Sequence, residues 1–245
     1  MRHLAAQLPW PRVKALAAEG ALALLPIGST EAHGPHLPLS VDVVIAEEVC
    51  RRVAERLEVD VVQFPSVAYS LTDFAAPFSG TVSLAADTAR AMLHGVLAGI
   101  AAGGFQRIGV VNHHLEPAHF KVVHEAARAS STASGAAVLV VDHRRPPTGP
   151  LLGAEFMHGG AHAGLYETSL MLAAAPHLVD EAARLALPEL HVDLVAAIKG
   201  GAKNFLECGG PDAYLGAPAS ATAAEGHRLF ELLADAAAQT LRRSA

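Results

Sequence analysis

Apolar and polar positions along this chain fall into blocks whose period switches from two or none to that of a helix. "ALALLPIG" (21–28) is a short apolar run closed by Pro and Gly, the pattern of a buried strand. The next block, "DVVIAEEVCRRVAERL" (42–57), has helical spacing and puts Val43, Ala46, Val49, Val53 and Leu57 on one face. "VDVVQFPSVAYS" (59–70) reads as a strand that exits into "LTDFAAPFSGT", and 83–104 as a helix opened by Ser83 and stopped by Gly103 and Gly104. "RIGVVNHH" (107–114) is another buried strand, 116–134 a helix, and "AAVLVVDHR" (136–144) a strand. "GGAHAGLYETSLMLAAAPHLV" (159–179) passes from a glycine-rich loop into a helix, and 219–241 is a long amphipathic helix.

Strands alternating with helices of this length imply parallel crossovers, with helices on both faces of a sheet. The expected fold is therefore α/β: a three-layer sandwich with a mostly parallel sheet flanked by helices, in one domain over 1–245.

Composition narrows the function classes. Hydrophobic residues make up 51% and charged residues 17%, ample for a sizeable core and against large-scale disorder. A net charge of −6 argues against a nucleic-acid surface, which needs clustered cations. The basic run "HRRPP" (143–147) reads as a solvated loop. Cys50 and Cys208 lack CxxC spacing, so a disulfide framework is not expected and a reducing cytoplasm is. Pro9 and Pro11 interrupt the start of the chain, and no run reaches the roughly 18 apolar residues of a membrane span.

Histidine is what changes the picture. Eight of the 14 fall in the windows 33–36, 113–124 and 158–162. Each window follows a strand or opens a helix, and in open α/β sheets such loops converge at the carboxyl ends of the strands. Glu31-x-His33 with Asp42, joined by His114-x-Glu116, gives three carboxylates and two imidazoles. That exceeds the usual four ligands of one structural zinc and suits two divalent ions sharing a bridging carboxylate. Mixed oxygen and nitrogen donors without thiolates point to zinc or manganese.

The stretch "PIGSTEAHGPHLPLSVD" resembles the signature of the creatininase (creatinine amidohydrolase) family, and further segments resemble it in the same order: "FSGTVSL" (78–84), "NHHLEP" (112–117), "HAGLYETS" (162–169) and "GGPDAYLGAPASATAAEGHRLFE". The resemblance runs from about residue 21 to 231. It implies a creatininase-like fold and two divalent ions per chain, zinc or manganese, held by Glu31, His33, Asp42, His114 and Glu116, with Asp42 as the bridge. A metal-bridging hydroxide would then cleave a C–N bond, other than a peptide bond, of a small cyclic or linear amide. His162, with Glu116 or Glu167, would move the proton, and Glu167 is an alternative fifth ligand. The same fold also serves formamide deformylases, peptidases and cyclitol or lactone hydrolases, and an inactive metal-binding relative is the other alternative. Substrate is expected between loops 70–80 and 157–161, touching Ser70, Thr72, Leu115, His162 and Tyr166. A homo-oligomer, hexamers included, is implied as well.

Three departures stand out: Ala32 for the family's Gln, His113 for Gly and Pro117 for Asn. Creatinine is recognised in that family between tryptophans, and the lone Trp10 lies far from every motif, which argues against creatinine.

Overall fold

A computed structural model describes residues 1–158 and 161–242. Strand β2 (Leu22–Ile27) is buried along its whole length, because its alternate side chains enter two different apolar clusters. Leu22 and Leu24 pack on one side of the sheet, while Ala23, Leu25 and Ile27 pack on the other. A strand covered on both faces has no solvent face to reserve for polar residues, which is why the run is continuously apolar.

The sheet has the order β1-β3-β2-β4-β5, with β1 at Arg2–Leu4, β3 at Val61–Gln63, β4 at Arg107–Asn112 and β5 at Ala137–Val141. All four pairings are parallel. Helices α2 (Val41–Arg56), α6 (Leu165–Ala174) and α9 (Ala223–Arg242) cover one face. Helices α1 (Trp10–Ala18), α3 (Ala86–Ala102) and α4 (Pro117–Ser134) cover the other. The three-layer α/β arrangement is the one the sequence predicts. Three short helices, α5 (Ala154–Met157), α7 (Glu181–Ala186) and α8 (Leu194–Lys199), lie in the connections. Among the described residues no helix is long and apolar enough to cross a membrane.

Two details position the site. Between β2 and β4 the sheet order switches sides, since β2 is followed by β3 on one side and β4 by β5 on the other, and a crevice opens at the carboxyl ends of this parallel pair. In the β2–β4 register Ile27 stands opposite Asn112, and the His113 amide donates to the Ile27 carbonyl at 3.1 Å. The two histidine-bearing loops therefore leave the sheet side by side. The expected strand over 59–70 ends early: regular pairing stops at Gln63, and only isolated bridges follow, Ile27 with Val67 and Ser70 with Ser83.

Candidate metal centre

Three segments deliver the polar side chains to this crevice. The loop after β2 carries Glu31 and His33 and runs into the first turn of α2, which holds Asp42. The loop after β4 carries His114, and Glu116 precedes Pro117, the first residue of α4. Glu167 lies in the first turn of α6, behind the loop that carries His162. That α6 start is fixed from outside: the Glu155 carboxylate accepts the amides of Leu165 (3.1 Å), Tyr166 (3.0 Å) and Ala217 (2.8 Å). Ala163, at φ +51°, turns its amide onto Glu167 at 2.7 Å. A left-handed alanine is strained, and here the strain aims a donor at a buried carboxylate.

The imidazoles share one device. His33 Nδ1 meets the Glu31 carbonyl at 3.1 Å, His114 Nε2 the Leu71 carbonyl at 2.9 Å, and His162 Nε2 the Ala32 carbonyl at 3.0 Å. A nitrogen facing a carbonyl carries the proton, so the other nitrogen of a neutral ring is an open donor of electrons. Those other nitrogens point at carboxylates. His33 Nε2 is 3.3 Å from Asp42, 3.5 Å from Glu167 and 3.7 Å from Glu31. His114 Nδ1 is 3.2 Å from Asp42 and 3.4 Å from Glu31. His162 Nδ1 is 3.8 Å from Glu31 and 4.0 Å from Glu167.

These donors fit divalent cations. Ligand atoms about 2.1 Å from a tetrahedral ion stand about 3.4 Å apart, which is the spacing seen here. Among the described residues, three groups could each hold an ion: Glu31, Asp42 and His114; His33, Asp42 and Glu167; and Glu31, His33 and His162. Asp42 belongs to the first two. Among the described residues, His33 Nε2 and Asp42 Oδ2 are buried without a hydrogen-bond partner, which leaves both free to ligate.

The electrostatics agree. Burial alone would push the Asp42 carboxyl up, but the imidazoles of His33 and His114 hold it well below the usual range. Burial alone would push His33 down, yet Glu167, Asp42 and Glu31 raise it to about 10. The cluster draws positive charge to itself, in the form of protons when nothing else supplies it. Glu116 and His162 behave differently. Burial raises Glu116 to about 7, against His114 and the Phe74 amide, and lowers His162 to about 3, with His33 adding to the effect.

A second line of contacts stands behind His114. Ser70 Oγ pairs with His119 Nδ1 at 2.7 Å, and His119 Nε2 with Asn112 Oδ1 at 2.8 Å. The Asn112 amide group then donates to the His114 carbonyl at 2.7 Å. The family departure His113 is buried between His143 and Tyr166, stacked at 5.5 and 5.7 Å.

A cavity of about 290 Å³ opens over the cluster, with Glu31, Asp42, His114, Glu116, His162 and Glu167 among its lining residues. Of the residues expected to touch substrate, Leu115 and His162 line it. Ser70, Thr72 and Tyr166 do not: all three are buried behind the wall. Their hydroxyls explain the first two, since Ser70 turns to His119 and Thr72 donates to Glu31. Tyr166 packs between Phe156 and His113. Loop 70–80 contributes Phe74 instead; of loop 157–161, Met157 and Ala161 line the cavity, and Gly159 and Gly160 lie outside the described residues.

The structure also supplies an aromatic wall that sequence spacing does not reveal. Phe74, Phe156 and Phe205 line the cavity, whereas Trp10 is 75% exposed and not part of it. The basic run at 143–147 is solvated only in part: Arg145, Pro146 and Pro147 are exposed, but His143 is buried, and Arg144 lines the cavity with its guanidinium 3.2 Å above the Phe120 ring. The apolar partner comes from α4, which the local charge pattern cannot show.

The creatininase (creatinine amidohydrolase) family model matches residues 6–241. The chain is 33% identical over 255 residues to a mycofactocin precursor peptide peptidase of Mycobacterium ulcerans (strain Agy99), covering 94% of this chain and 84% of that protein. It is 32% identical over 193 residues to a creatinine amidohydrolase of Pseudomonas putida, covering 71% and 72%. A creatininase variant complexed with creatine superimposes with a TM-score of 0.81 at 23% identity, over 100% of this chain and 99% of the other. A manganese creatininase gives 0.79 at 23% identity, over 100% and 99%, and a Zn–Zn creatininase variant 0.77 at 23%, over 98% and 97%. At such identity the structural likeness establishes the fold.

Proposed function

The chain belongs to the creatininase family, and from that premise we propose that it is a metal-dependent hydrolase of amide bonds with a two-ion centre. The observation that carries this reading is Asp42. It stands in two ligand groups at once, one with Glu31 and His114, the other with His33 and Glu167. Glu167 is then the fifth ligand, and Glu116, which belongs to none of the three groups, is left for proton work. Manganese and zinc are the ions named for the creatininase structures that share the fold.

Bound there, the ions supply Lewis-acid polarisation of a carbonyl and a lowered pKa for water, to about 7 for a single zinc. The remaining chemistry falls to the chain. His162, kept neutral by burial and pinned through Nε2 to the Ala32 carbonyl, presents Nδ1 as a proton acceptor and donor. Glu116, outside the three ligand groups and with a carboxyl that burial raises above the ordinary range, is placed to carry a proton in general acid–base work. Phe205 lies flat on His162, ring centroids 4.0 Å apart, and shields it from water.

The resemblance to the creatininase family implies C–N bonds other than peptide bonds. The 33% identical relative named a peptide peptidase supports including peptide amides among the substrates. The absence of tryptophan among the described lining residues speaks against creatinine.

Metal analysis of the purified protein, followed by chelation and re-addition of Mn²⁺ or Zn²⁺, tests the reading against a panel of short peptides, lactams, hydantoins and formamides. About two ions per chain and turnover that follows the metal are expected. Turnover that survives complete demetallation refutes it.

A further inference from the structure

The cavity over the metal centre is divided by chemistry. Its floor is the carboxylate and imidazole cluster; its side is apolar. Helix α8 presents Leu194, Val195 and Ile198 to it, joined by Phe74, Phe156 and Phe205. The lining residue that carries a fixed positive charge, Arg144, is neutralised by Asp142, which accepts Nε at 2.8 Å and the terminal amine at 2.9 Å. The wall therefore has little to offer a charged group.

Helix α8 is an odd place for three apolar side chains. It has six residues, none of them buried, and Val195 is 43% exposed. Asp193 caps its start by accepting the Ala196 amide at 2.8 Å, and Gly201 follows its end with φ +99°. The helix is thus held by its own ends while its apolar face stays half covered at the mouth of a polar site. Exposed apolar surface beside a concave polar floor is the usual mark of a ligand that brings apolar surface of its own. The volume of about 290 Å³ admits one or two side chains' worth of ligand and excludes a helix from another molecule. Phe205 carries the wall right up to the chemistry, since it stacks on His162 and meets Phe74 edge-on at 5.7 Å.

We propose that this wall selects amides carrying a bulky, uncharged aliphatic or aromatic substituent next to the scissile bond, with Val195 and Ile198 as specificity-determining residues. The inference rests on the metal-hydrolase reading above, and its test separates the two.

Calorimetric titration of the metal-loaded protein with acetohydroxamate, hexanohydroxamate and 3-phenylpropanohydroxamate reads binding without turnover. Affinity should rise about fourfold for each methylene that becomes covered, so the longer probes should bind at least about tenfold more tightly than acetohydroxamate. Val195→Asp and Ile198→Asp should bring that ratio close to one, and Val195→Leu should preserve it. Because α8 has no buried residue, these variants should melt with the parent. A ratio near one in the parent chain, or a ratio that survives both aspartates, overturns the proposal while leaving the metal centre standing. If the metal-loaded protein binds none of the hydroxamates, this inference is overturned; if the protein takes up no divalent ion, the metal-centre reading falls and this inference falls with it.

Discussion

Replacing Gly28 with alanine tests the placement of Asp42 without altering any charged group. Gly28 follows β2 at the point where α2 begins to pack against it. A Cβ there would stand 2.6 Å from the Val43 amide nitrogen, 2.7 Å from the Asp42 carbonyl carbon and 2.8 Å from Asp42 Cβ. Ordinary contact begins near 3.4 Å, so the first turn of α2 must retreat by about 0.8 Å. The obstacle is backbone, which cannot rotate away as a side chain would. Overpacking of this kind costs about 1–3 kcal/mol, or about 2–12 °C in Tm for a chain of this size. The functional effect should be larger than the thermal one. Metal–ligand bonds tolerate about 0.2 Å, and about 1 Å of misplacement in an active site can cost about 10²-fold in rate. Asp42 would move relative to both His33 and His114, from which it now stands 3.3 and 3.2 Å. Metal content by mass spectrometry, a thermal melt and kcat/KM on a cleaved amide measure the three effects. A Gly28→Ala protein with the parent's Tm, full metal and full activity would refute the reasoning.

Other consequences can be checked in the same preparations. Glu116→Gln should lower kcat by about 10²–10⁴-fold with metal content retained; loss of an ion instead would make Glu116 a ligand. Burial holds His143 neutral, with its pKa down to about 4, while an unfolded chain would titrate it near about 6.5. The unfolded state then binds more protons between those values, so stability falls as pH drops from about 6.5 to about 4, by up to about 1.4 kcal/mol per unit. His143→Phe should remove that share of the slope in acid melts, and an unchanged slope would show the residue is not buried neutral. Gly226→Ala would drive a Cβ to 1.9 Å from the Ser169 carbonyl, forcing α9 off α6 at a cost of about 1–3 kcal/mol or more; a melt within a degree of the parent's would contradict this contact.

The hydrophobic pattern locates β2, α2, α3, β4, α4, β5 and α9 to within a few residues, because each is long or apolar enough for burial to decide its period. It passes over β1, three residues long and paired to β3 at the sheet edge, over α1, whose start holds Pro9 and Pro11, and over the short helices α5, α7 and α8. A six-residue helix held by Asp193 leaves too little periodic signal to register. The site divides in the same way. Glu31, His33, Asp42 and His114 are legible because they sit in one dense motif and its neighbour across the β2–β4 register. The competition between Glu116 and Glu167 is not legible, since it depends on which carboxylate the turn at Ala163 brings to His33. Nor is the phenylalanine wall: Phe74, Phe156 and Phe205 come from three separate connections and meet in space alone. Arg144 misleads for a related reason, as a cation in a turn looks solvated until the ring beneath it is known.

The register that sets Ile27 beside Asn112 also bears on the order of events during folding. Glu31 and His114 are more than 80 residues apart along the chain, and Glu167 is more than 50 beyond that. Bringing such distant segments together by an ion alone would have to overcome the entropy of closing very long loops. Pairing of β2 with β4 closes the first of those loops before any cation is needed, and docking of α6 closes the second. The donors thus come into range only once the sheet and its covering helices are in place. On this reasoning a cation bound there would be captured by a finished scaffold, which can wait for its ion, rather than by a nascent chain that depends on one to fold.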